Sequence, residues 1–334
     1  MTYKITLMRG DGIGPEVVDS AVKIIDKTGV SIDWEEAHAG MNAISKFSTP
    51  LPDETIDSIQ RNKIALKGPL TTPIGIGFRS INVALRKEFD LYGNLRPAKL
   101  FSGIPSRFDE VDLVIVRENT EGLYSGIEHY IGPDKSAAES IVVITKFGSE
   151  RIARFAFDYA RKNGRKKVTI VHKANILKYS SGLFLQTAKE VAKEFPDIEC
   201  EDKIIDNMCM QLVTDPQQFD VIVTTNMFGD IISDLVAGLV GGLGVAPGAN
   251  IGKDIAIFEA VHGSAPDIAG KGIANPLSII LSSCLMLNHL GERTAATKIL
   301  DAVKEAIKDK KNLTGDLGGK ANNKQITDAI LSNI

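Results

Sequence analysis

Short apolar runs alternate with longer segments of helical periodicity along this chain. The runs are rich in β-branched residues and are bounded by polar residues. They predict strands at 5–8, 111–116, 168–171, 221–224 and 255–258. The longer segments carry apolar residues three and four apart and predict helices at 17–25, 150–161, 182–195 and 294–308. This alternation is typical of an α/β protein with a mainly parallel sheet.

Two other patterns change this picture locally. Segment 124–145 has two strand-like stretches around Gly132-Pro133-Asp134 and predicts a hairpin, which would be an arm used in association. Stretches 235–252 and 272–291 contain no Asp, Glu, Lys or Arg. Their Gly, Pro and Asn residues favour buried helices with loops over a lipid-facing span.

Composition excludes several classes of protein. The length of 334 residues suggests about two domains, which must be closely joined because no linker or repeat is visible. With 39 basic and 42 acidic residues in no long run, a nucleic-acid or membrane surface is not expected. Three cysteines without C-x-x-C spacing favour a reducing compartment, and the early charges argue against a signal peptide. We therefore expect a cytoplasmic protein, or a mitochondrial matrix protein in a eukaryote.

Glycines are concentrated in G-D-G-I-G-P-E at 10–16, between a predicted strand and a predicted helix. Pro15 and Glu16 suit the first turn of that helix. The spacing is not G-x-G-x-x-G, and no Rossmann fingerprint occurs anywhere in the chain. Taken alone, the segment is a tight strand-to-helix turn.

Four arginines, Arg79, Arg86, Arg96 and Arg117, lie among polar residues that could accompany an anionic ligand. Arg79 and Arg86 share one helical face, and Arg117 follows an apolar run at the point where α/β ligands bind. Guanidinium groups suit carboxylates, so converging arginines would indicate a polyanionic small substrate. Solvent-exposed arginines remain the alternative from the residues alone.

Asp230 and Asp234 are four apart at a helix start in N-M-F-G-D-I-I-S-D, and Asp206 precedes them in I-I-D-N-M. Two carboxylates on one helical face repel each other unless a cation lies between them. Carboxylates without a His or Cys cluster suit Mg²⁺ or Mn²⁺. A helix cap and a surface charge are the open alternative for this pair.

The loop 261–276, V-H-G-S-A-P-D-I-A-G-K-G-I-A-N-P, is rich in small residues and backbone donors, as a cofactor loop would be. Within it His262 has the setting of a ligand contact, although an ordinary long loop is the alternative. Tyr124 and Lys173 offer a phenol and an amine that could act as acid and base if the fold brings them together.

With these motifs, the chain resembles the isocitrate/homoisocitrate/isopropylmalate family of β-decarboxylating dehydrogenases, and within it the NAD-dependent, isocitrate-oxidising branch. The matching segments span nearly the whole chain in order: G-D-G-I-G-P-E, L-T-T-P-I-G-I-G-F-R-S-I-N-V-A-L-R, R-E-N-T-E-G-L-Y-S-G-I-E, V-H-K-A-N-I, N-M-F-G-D-I-I-S-D and H-G-S-A-P-D-I-A-G. Several long motifs in the right order make this resemblance specific.

The resemblance implies a two-domain, isopropylmalate dehydrogenase-like α/β fold with a mixed sheet and no Rossmann unit. A large domain would comprise 1–96 and 251–334 and carry most of the cofactor site. A small domain, 97–250, would carry the dimer interface, the arm at about 124–145 and the metal site. The family's active site lies in a cleft shared between subunits.

The resemblance also implies roles for individual residues. Arg86, Arg96 and Arg117 would bind the carboxylates of the substrate. Ser80 and Asn82 would contact its third carboxylate. Mg²⁺ or Mn²⁺ would be bound by Asp230 and Asp234 of one protomer together with Asp206 of its partner. Lys173, from that same partner, would assist proton removal, and Tyr124 would protonate the carbon after loss of CO₂. Cofactor contacts would be Thr72, Asn175, Glu259, His262, Gly263, Ser264, Ala265, Asp267, Ile268, Asn275 and Asp316.

Asp267 and Ile268 stand where NADP-dependent relatives carry Lys and Tyr, and a carboxylate there would repel a 2′-phosphate, so we expect NAD. Ser80 and Asn82 favour isocitrate over isopropylmalate, whereas homoisocitrate, longer by one methylene, stays open. A homodimer with shared active sites, or a higher oligomer, is expected. A non-catalytic regulatory subunit is the alternative of another class, disfavoured because the acid–base and metal-binding residues are all present.

Overall fold

The computed structural model describes residues 2–71 and 80–334. Its strands are β1 Tyr3–Met8, β2 Ile32–Ala37, β3 Ile64–Lys67, β4 Gly93–Lys99, β5 Asp112–Glu118, β6 Glu128–Ile131, β7 Ala137–Ser140, β8 Lys167–His172, β9 Glu199–Ile204, β10 Val221–Thr224, β11 Pro247–Ile251 and β12 Ala256–Ala260. The five strands predicted from apolar runs are confirmed as β1, β5, β8, β10 and β12.

The helices are α1 Gly14–Lys27, α2 Met41–Phe47, α3 Asp53–Asn62, α4 Ile81–Glu88, α5 Lys146–Lys162, α6 Ser180–Ala192, α7 Ile205–Thr214, α8 Asn226–Leu239, α9 Leu277–His289, α10 Arg293–Lys308 and α11 Asn323–Leu331. The four predicted helices are confirmed as α1, α5, α6 and α10. The uncharged stretch 272–291 forms α9, of which Ser278, Ile279, Ile280 and Ser282 are fully buried. Within the described ranges, no helix is long and apolar enough to cross a membrane.

The chain divides into two compact units, which we call the terminal unit and the central unit. The terminal unit comprises Met1–Phe89, Lys99–Asp109 and Ala237–Ile334, and the central unit comprises Asp90–Ala98 and Glu110–Val236. These bounds differ from the predicted domains in that 90–96 belong with the central unit, whereas 99–109 and 237–250 belong with the terminal unit. The division into functional domains stays a prediction.

The terminal unit contains the strand order β2-β1-β3-β12-β11. Its neighbouring strands are parallel except for β11 and β12, which are antiparallel, so the sheet is mixed. Helix α9 packs against β11, β12, α1 and α10, which explains why it is apolar on nearly every side.

The central unit contains the strand order β4-β5-β10-β8-β9, in which β5, β10, β8 and β9 run parallel. Helices α5 and α6 pack against each other and against these strands. Strands β6 and β7 form a separate antiparallel hairpin, as the pattern around Gly132-Pro133-Asp134 predicts, and all residues of the two strands are exposed.

The G-D-G-I-G-P-E segment is a tight turn that is hydrogen-bonded to three other segments of the terminal unit. The buried carboxylate of Asp11 accepts from the backbone amides of Met41 at 3.0 Å, Asn42 at 3.0 Å and Thr71 at 2.8 Å. The backbone N–H of Ile13 donates to the Ser264 carbonyl at 2.9 Å. Gly12 has φ +58°, and a Cβ there would overlap that same carbonyl oxygen.

Substituting Gly12 by alanine should therefore destabilise the protein by about 2–4 kcal/mol, because backbone strain adds to a collision with a backbone atom. Gly29→Ala is the matched control, since Gly29 has φ +83° with nothing near its Cβ position, and it should cost only about 1–2 kcal/mol. Urea unfolding midpoints of the two variants measure the difference. Equal midpoints would contradict this account of the turn.

Candidate active site

Arg117 lies near the carboxyl end of β5, beside the first turns of α8 in the central unit. Strand β10 is the parallel neighbour of β5, and its last residue, Thr224, pairs with Arg117. Helix α8 follows β10 directly, and its first turns therefore lie beside Arg117. The guanidinium is 1% exposed, and its Nε and Nη2 donate to Asn226 Oδ1 at 3.1 and 2.8 Å. A Cβ at Gly229 would lie 2.5 Å from Arg117 Cγ, so this helix position has to be glycine.

Asp230 joins this arginine to Tyr124. Its Oδ1 accepts from Arg117 Nη1, and its Oδ2 accepts from the Tyr124 hydroxyl at 2.5 Å. Burial and the Asp230 carboxylate raise the pKa of Tyr124, which therefore retains its proton at neutral pH. The phenol is thus held as a proton donor next to a carboxylate.

Arg96, which lies in the extended backbone of β4, is beside the second carboxylate of α8. Its Nη1 donates to Ser233 Oγ at 2.5 Å and to Asp234 Oδ1 at 3.4 Å, and its Nη2 lies 3.9 Å from Asp230 Oδ1. Burial raises the pKa of Asp234, with Asp230 adding to the effect and Arg96 opposing it. Two carboxylates one turn apart are thereby held in a site that favours added positive charge.

Asp230 and Asp234 fit a divalent cation as part of its ligand set. Carboxylate oxygens are the ligands that Mg²⁺ and Mn²⁺ prefer. Within residues 2–71 and 80–334, no three His, Cys, Asp or Glu side chains converge as they would in a complete metal site. Asp230 and Asp234 are therefore an incomplete set within the described part of one chain.

Asp206 lies in the first turn of α7 and pairs with Lys173, which follows β8. Lys173 Nζ donates to Asp206 Oδ1, and this hydrogen bond lowers the pKa of Asp206. Side chains of the pair are 26% and 68% exposed, so both are open to a further partner. The structure thus brings together Arg96, Arg117, Tyr124, Asp230 and Asp234 in one cluster, and Lys173 and Asp206 in another.

In the terminal unit, Arg86 on α4 belongs to a buried group of charges. Glu259 Oε2 lies 2.6 Å from Lys67 Nζ, and Oε1 accepts from Asn250 Nδ2 at 2.7 Å and lies 3.7 Å from Arg86 Nη2. Burial opposes ionisation of Glu259, but Lys67 and Arg86 outweigh it and hold its pKa at about 2. Two cations against one anion leave this group with an excess positive charge, which suits an anionic ligand.

The same helix presents polar atoms that have no partner among the described residues. Arg86 Nε and Asn82 Oδ1 are both buried without a hydrogen bond there. Buried polar groups are normally paired, so these two atoms favour a ligand near α4. Ser80 directly precedes the helix and is half-buried.

A cavity of about 590 Å³ in the terminal unit is lined by many of the residues predicted to contact the cofactor. Its lining includes the predicted residues His262, Gly263, Ala265, Ile268, Asn275 and Asp316. It also includes Ile273 and Ala274 of the predicted cofactor loop, Ile13 of the glycine segment 10–16, and Gly244 and Gly315, which the sequence did not indicate. A mostly apolar lining with a few polar groups suits a nucleotide-sized ligand.

His262 is the polar centre of this cavity. Its Nδ1 lies 2.9 Å from the Gly263 carbonyl oxygen and must donate to it, so Nε2 is the acceptor of a neutral ring. Nε2 is buried and has no partner among the described residues. Burial lowers the pKa of His262, which keeps the ring neutral. Asp316 accepts from Asn275 Nδ2 at 2.9 Å on the same lining.

The remaining predicted residues are dispersed. Ser264 is buried under the cavity loop, where its Oγ lies 2.6 Å from Thr71 Oγ1, and Asp267 is exposed on that loop. Asn175 is exposed after β8 in the central unit. Thr72 and Arg79 lie outside the described residues. A cofactor role for each of these, and for the charge-paired Glu259, stays a prediction.

Lys67 is a charged residue that the sequence reasoning missed. It ends the apolar strand β3, and the parallel register places it opposite Glu259 on β12. A lysine that closes a fully buried apolar strand is an unusual position for that residue, and this local signal could have indicated it.

The chain belongs to the isocitrate/isopropylmalate dehydrogenase family, whose model matches residues 4–330. It is similar to the crystal structure of isocitrate dehydrogenase from Methylococcus capsulatus, with 59% identity, 99% of each chain covered and a TM-score of 0.97. A mitochondrial NAD isocitrate dehydrogenase regulatory subunit of Dictyostelium discoideum is 51% identical over 99% of this chain and 92% of its own. The mitochondrial NAD isocitrate dehydrogenase catalytic subunit 5 of Arabidopsis thaliana is 48% identical over 98% of this chain and 88% of its own.

Replacing Glu259 by glutamine should leave Lys67 as an uncompensated buried cation and destabilise the protein by about 3–5 kcal/mol at pH 7. The folded-state pKa of Glu259 is lowered to about 2, so its stabilisation is complete above the ordinary pKa and is lost as the pH falls toward 2. The difference between wild type and variant in urea unfolding should therefore shrink below about pH 4.5.

Asp301→Asn is the control for this measurement, because Asp301 forms an exposed pair with Lys304. It should change the free energy of unfolding by less than about 0.5 kcal/mol. A Glu259→Gln protein as stable as wild type at pH 7 would contradict the charge compensation described for Lys67 and Arg86.

Proposed function

We propose that this chain is a metal-dependent, NAD-dependent isocitrate dehydrogenase that converts isocitrate and NAD⁺ to 2-oxoglutarate, CO₂ and NADH. The observation that carries this proposal is the cluster of Arg96, Arg117, Tyr124, Asp230 and Asp234 in the central unit. It combines cations for carboxylates, oxygen ligands for a divalent cation and a protonated phenol, which are the chemical functions that this reaction needs.

Arg86, Arg96 and Arg117 bind the carboxylates of the substrate, and Ser80 and Asn82 contact the third carboxylate. Arg117 is rigidly held by Asn226 and Asp230, so its guanidinium needs little reorganisation on binding. Arg86 supports the assignment through the excess positive charge around Glu259 and through its unpartnered Nε. Arg117 and Arg86 are thereby prepared for an anion before the substrate arrives.

Asp230 and Asp234, with Asp206 of a second copy, hold Mg²⁺ or Mn²⁺. When bound, this ion acts as a Lewis acid toward the substrate hydroxyl and offsets negative charge as CO₂ leaves. The position of Asp206 supports a metal site shared between two copies. Its side chain is largely exposed, and within the described part of one chain it does not converge with Asp230 and Asp234.

Lys173 assists removal of the proton from the C2 hydroxyl, and NAD⁺, when bound, would supply the acceptor for the C2 hydride. The product of that step is a 3-carboxy ketone, which loses CO₂ and then accepts a proton on carbon. Tyr124 donates this proton, in accord with its raised pKa and its contact with Asp230. Asp230 also orients the phenol, because its Oδ2 accepts the hydrogen bond of the Tyr124 hydroxyl.

NAD occupies the cavity around His262, whose unpartnered Nε2 and neighbouring Asp316 supply polar contacts. Asp267 favours NAD over NADP, because a carboxylate accepts from ribose hydroxyls and repels a 2′-phosphate. Asn275, Ile268 and the backbone of 263–265 complete the contacts to the adenosine end.

A non-catalytic regulatory role is the competing candidate, and the Dictyostelium relative carries that word in its name. Tyr124, Lys173, the three aspartates and the three arginines are all present in this chain, which favours catalysis. A purely regulatory subunit would have no use for this complete set. Turnover by the purified chain alone separates the two roles.

A dimer with shared active sites follows from the same reasoning. Except for Met41 and Ile273, the large apolar side chains that are exposed in the described ranges lie in the central unit. Those of the hairpin and its surroundings are Ile127, Tyr130, Ile131, Ile141, Val142 and Phe147. An exposed apolar surface of this extent favours association with a second copy.

A cytoplasmic location stays a prediction, with the mitochondrial matrix as its eukaryotic counterpart. Cys200, Cys209 and Cys284 are all free, as a reducing compartment would keep them. The Dictyostelium and Arabidopsis relatives are both named as mitochondrial.

Initial rates of the purified chain with Mg²⁺ test the substrate and the cofactor together. We expect kcat/KM for isocitrate with NAD to exceed every other pairing of isocitrate, homoisocitrate or 3-isopropylmalate with NAD or NADP by at least about tenfold, or about 1.4 kcal/mol. Chelation with EDTA should abolish the rate, and Mg²⁺ or Mn²⁺ should restore it.

Preference for homoisocitrate would keep the residues in their proposed roles and change only the substrate. No turnover with any of the three acids would contradict the self-sufficient enzyme and support a regulatory role. Full activity in EDTA would contradict the role of the aspartates.

Mixing two impaired variants tests the shared active site. Lys173→Met removes the base and Asp230→Asn removes a metal ligand, so each homodimer should retain only a small residual activity. Exchange of protomers should restore about a quarter of wild-type activity, because half of the dimers are mixed and each of these has one intact site. Lys173→Met subjected to the same exchange with itself is the control. No recovery in the mixture would show that each site is formed by one chain.

A further inference from the structure

His172, the last residue of β8, holds the backbone that carries Lys173. It is 5% exposed, and the backbone N–H of Ala174 donates to its Nδ1 at 3.0 Å. Because an amide can only donate, Nδ1 has to be unprotonated, and the ring proton is on Nε2. Nε2 lies 3.0 Å from Asp202 Oδ2 on β9 and donates to it. The ring therefore connects the turn after β8 to the neighbouring strand.

The turn itself is fixed on both sides of Lys173. The backbone N–H of Lys173 donates to Ser181 Oγ at 3.1 Å, and its carbonyl accepts from Ile176 at 3.0 Å and Leu177 at 2.8 Å. The amide that follows Lys173 has the His172 ring as its partner. Loss of that acceptor would free one side of the peptide that sets the direction of the lysine side chain.

Asp202 is in turn held in place by Lys189 on α6. Asp202 Oδ1 lies 2.5 Å from Lys189 Nζ, while Oδ2 faces His172. Burial opposes ionisation of Asp202, and Lys189 and His172 outweigh it and lower its pKa. The histidine thus donates to a carboxylate whose position is set by a second element of the central unit.

We propose that His172 is a positioning residue for Lys173: it relays the fixed position of Asp202 on β9 to the Ala174 amide and so aims the Lys173 amine. This inference rests on the proposed function, in which Lys173 assists proton removal. A base displaced by about 1 Å can lose about 100-fold in rate, so the turn that bears Lys173 has to be rigid. The interaction affects the chemical step more than substrate binding.

Two variants of His172 separate the two hydrogen bonds. His172→Gln keeps a donor near the position of Nε2 and loses the acceptor for the Ala174 amide, whereas His172→Asn keeps an acceptor near Nδ1. We expect His172→Gln to lower kcat with isocitrate, NAD and Mg²⁺ by about 10- to 100-fold, with KM for both substrates within about threefold of wild type. His172→Asn should retain more of kcat than His172→Gln.

Asp202→Asn and Glu201→Gln form a matched pair on β9. Glu201 pairs with Lys167 and with Thr169 at 2.9 Å, and it has no part in the His172 interaction. Asp202→Asn should lower kcat, and Glu201→Gln should leave it unchanged. Equal effects of these two variants would overturn the proposal.

Combination with Lys173→Met separates positioning from general structural damage. If His172 acts through Lys173, adding His172→Gln to Lys173→Met should lower the residual kcat by less than about twofold. The same loss as in the wild-type background would indicate a structural effect and overturn the proposal.

Wild-type kcat in His172→Gln together with a strong loss in Lys173→Met would overturn this inference alone. Wild-type kcat in Lys173→Met would contradict the proposed role of that lysine and remove the basis of both.

Discussion

The ion pair between Arg117 and Asp230 is the interaction on which the candidate active site depends. A guanidinium that is 1% exposed has to be compensated by charge and hydrogen bonds, because its transfer from water is otherwise very unfavourable. Asp230 and Asn226 supply that compensation and thereby attach α8 to the end of β5. Tyr124 donates to the same carboxylate, so its position follows from the pair as well.

Buried charges also have to be compensated in the terminal unit, but there the cations outnumber the anions. Glu259 compensates Lys67 and Arg86 together, which leaves a positive excess in a buried place. In the central unit, carboxylates and guanidiniums are closer to balanced, which suits both a cation and an anion. The group around Glu259 thus has an uncompensated positive charge, whereas the two arginines of the central cluster are matched by two aspartates.

Strand ends explain why these groups occur where they do. Lys67, Arg117, His172 and Glu259 all lie at or near the carboxyl ends of strands that run parallel to a neighbour. Rigid strands fix the backbone there, and in parallel sheets this is the edge at which ligands bind. The His172 interaction extends this arrangement one residue further, to Lys173.

The local sequence pattern determined the alternation of strands and helices, because hydrophobic periodicity is a property of neighbouring residues. The order of the motifs along the chain determined the family. Edge strands β2 and β9 escaped prediction because their half-buried or exposed, mostly polar residues form no apolar run. Only the tertiary structure decided that Lys67 lies opposite Glu259 and that Arg117 meets Asp230, since these pairings depend on strand register and burial between residues distant in the chain.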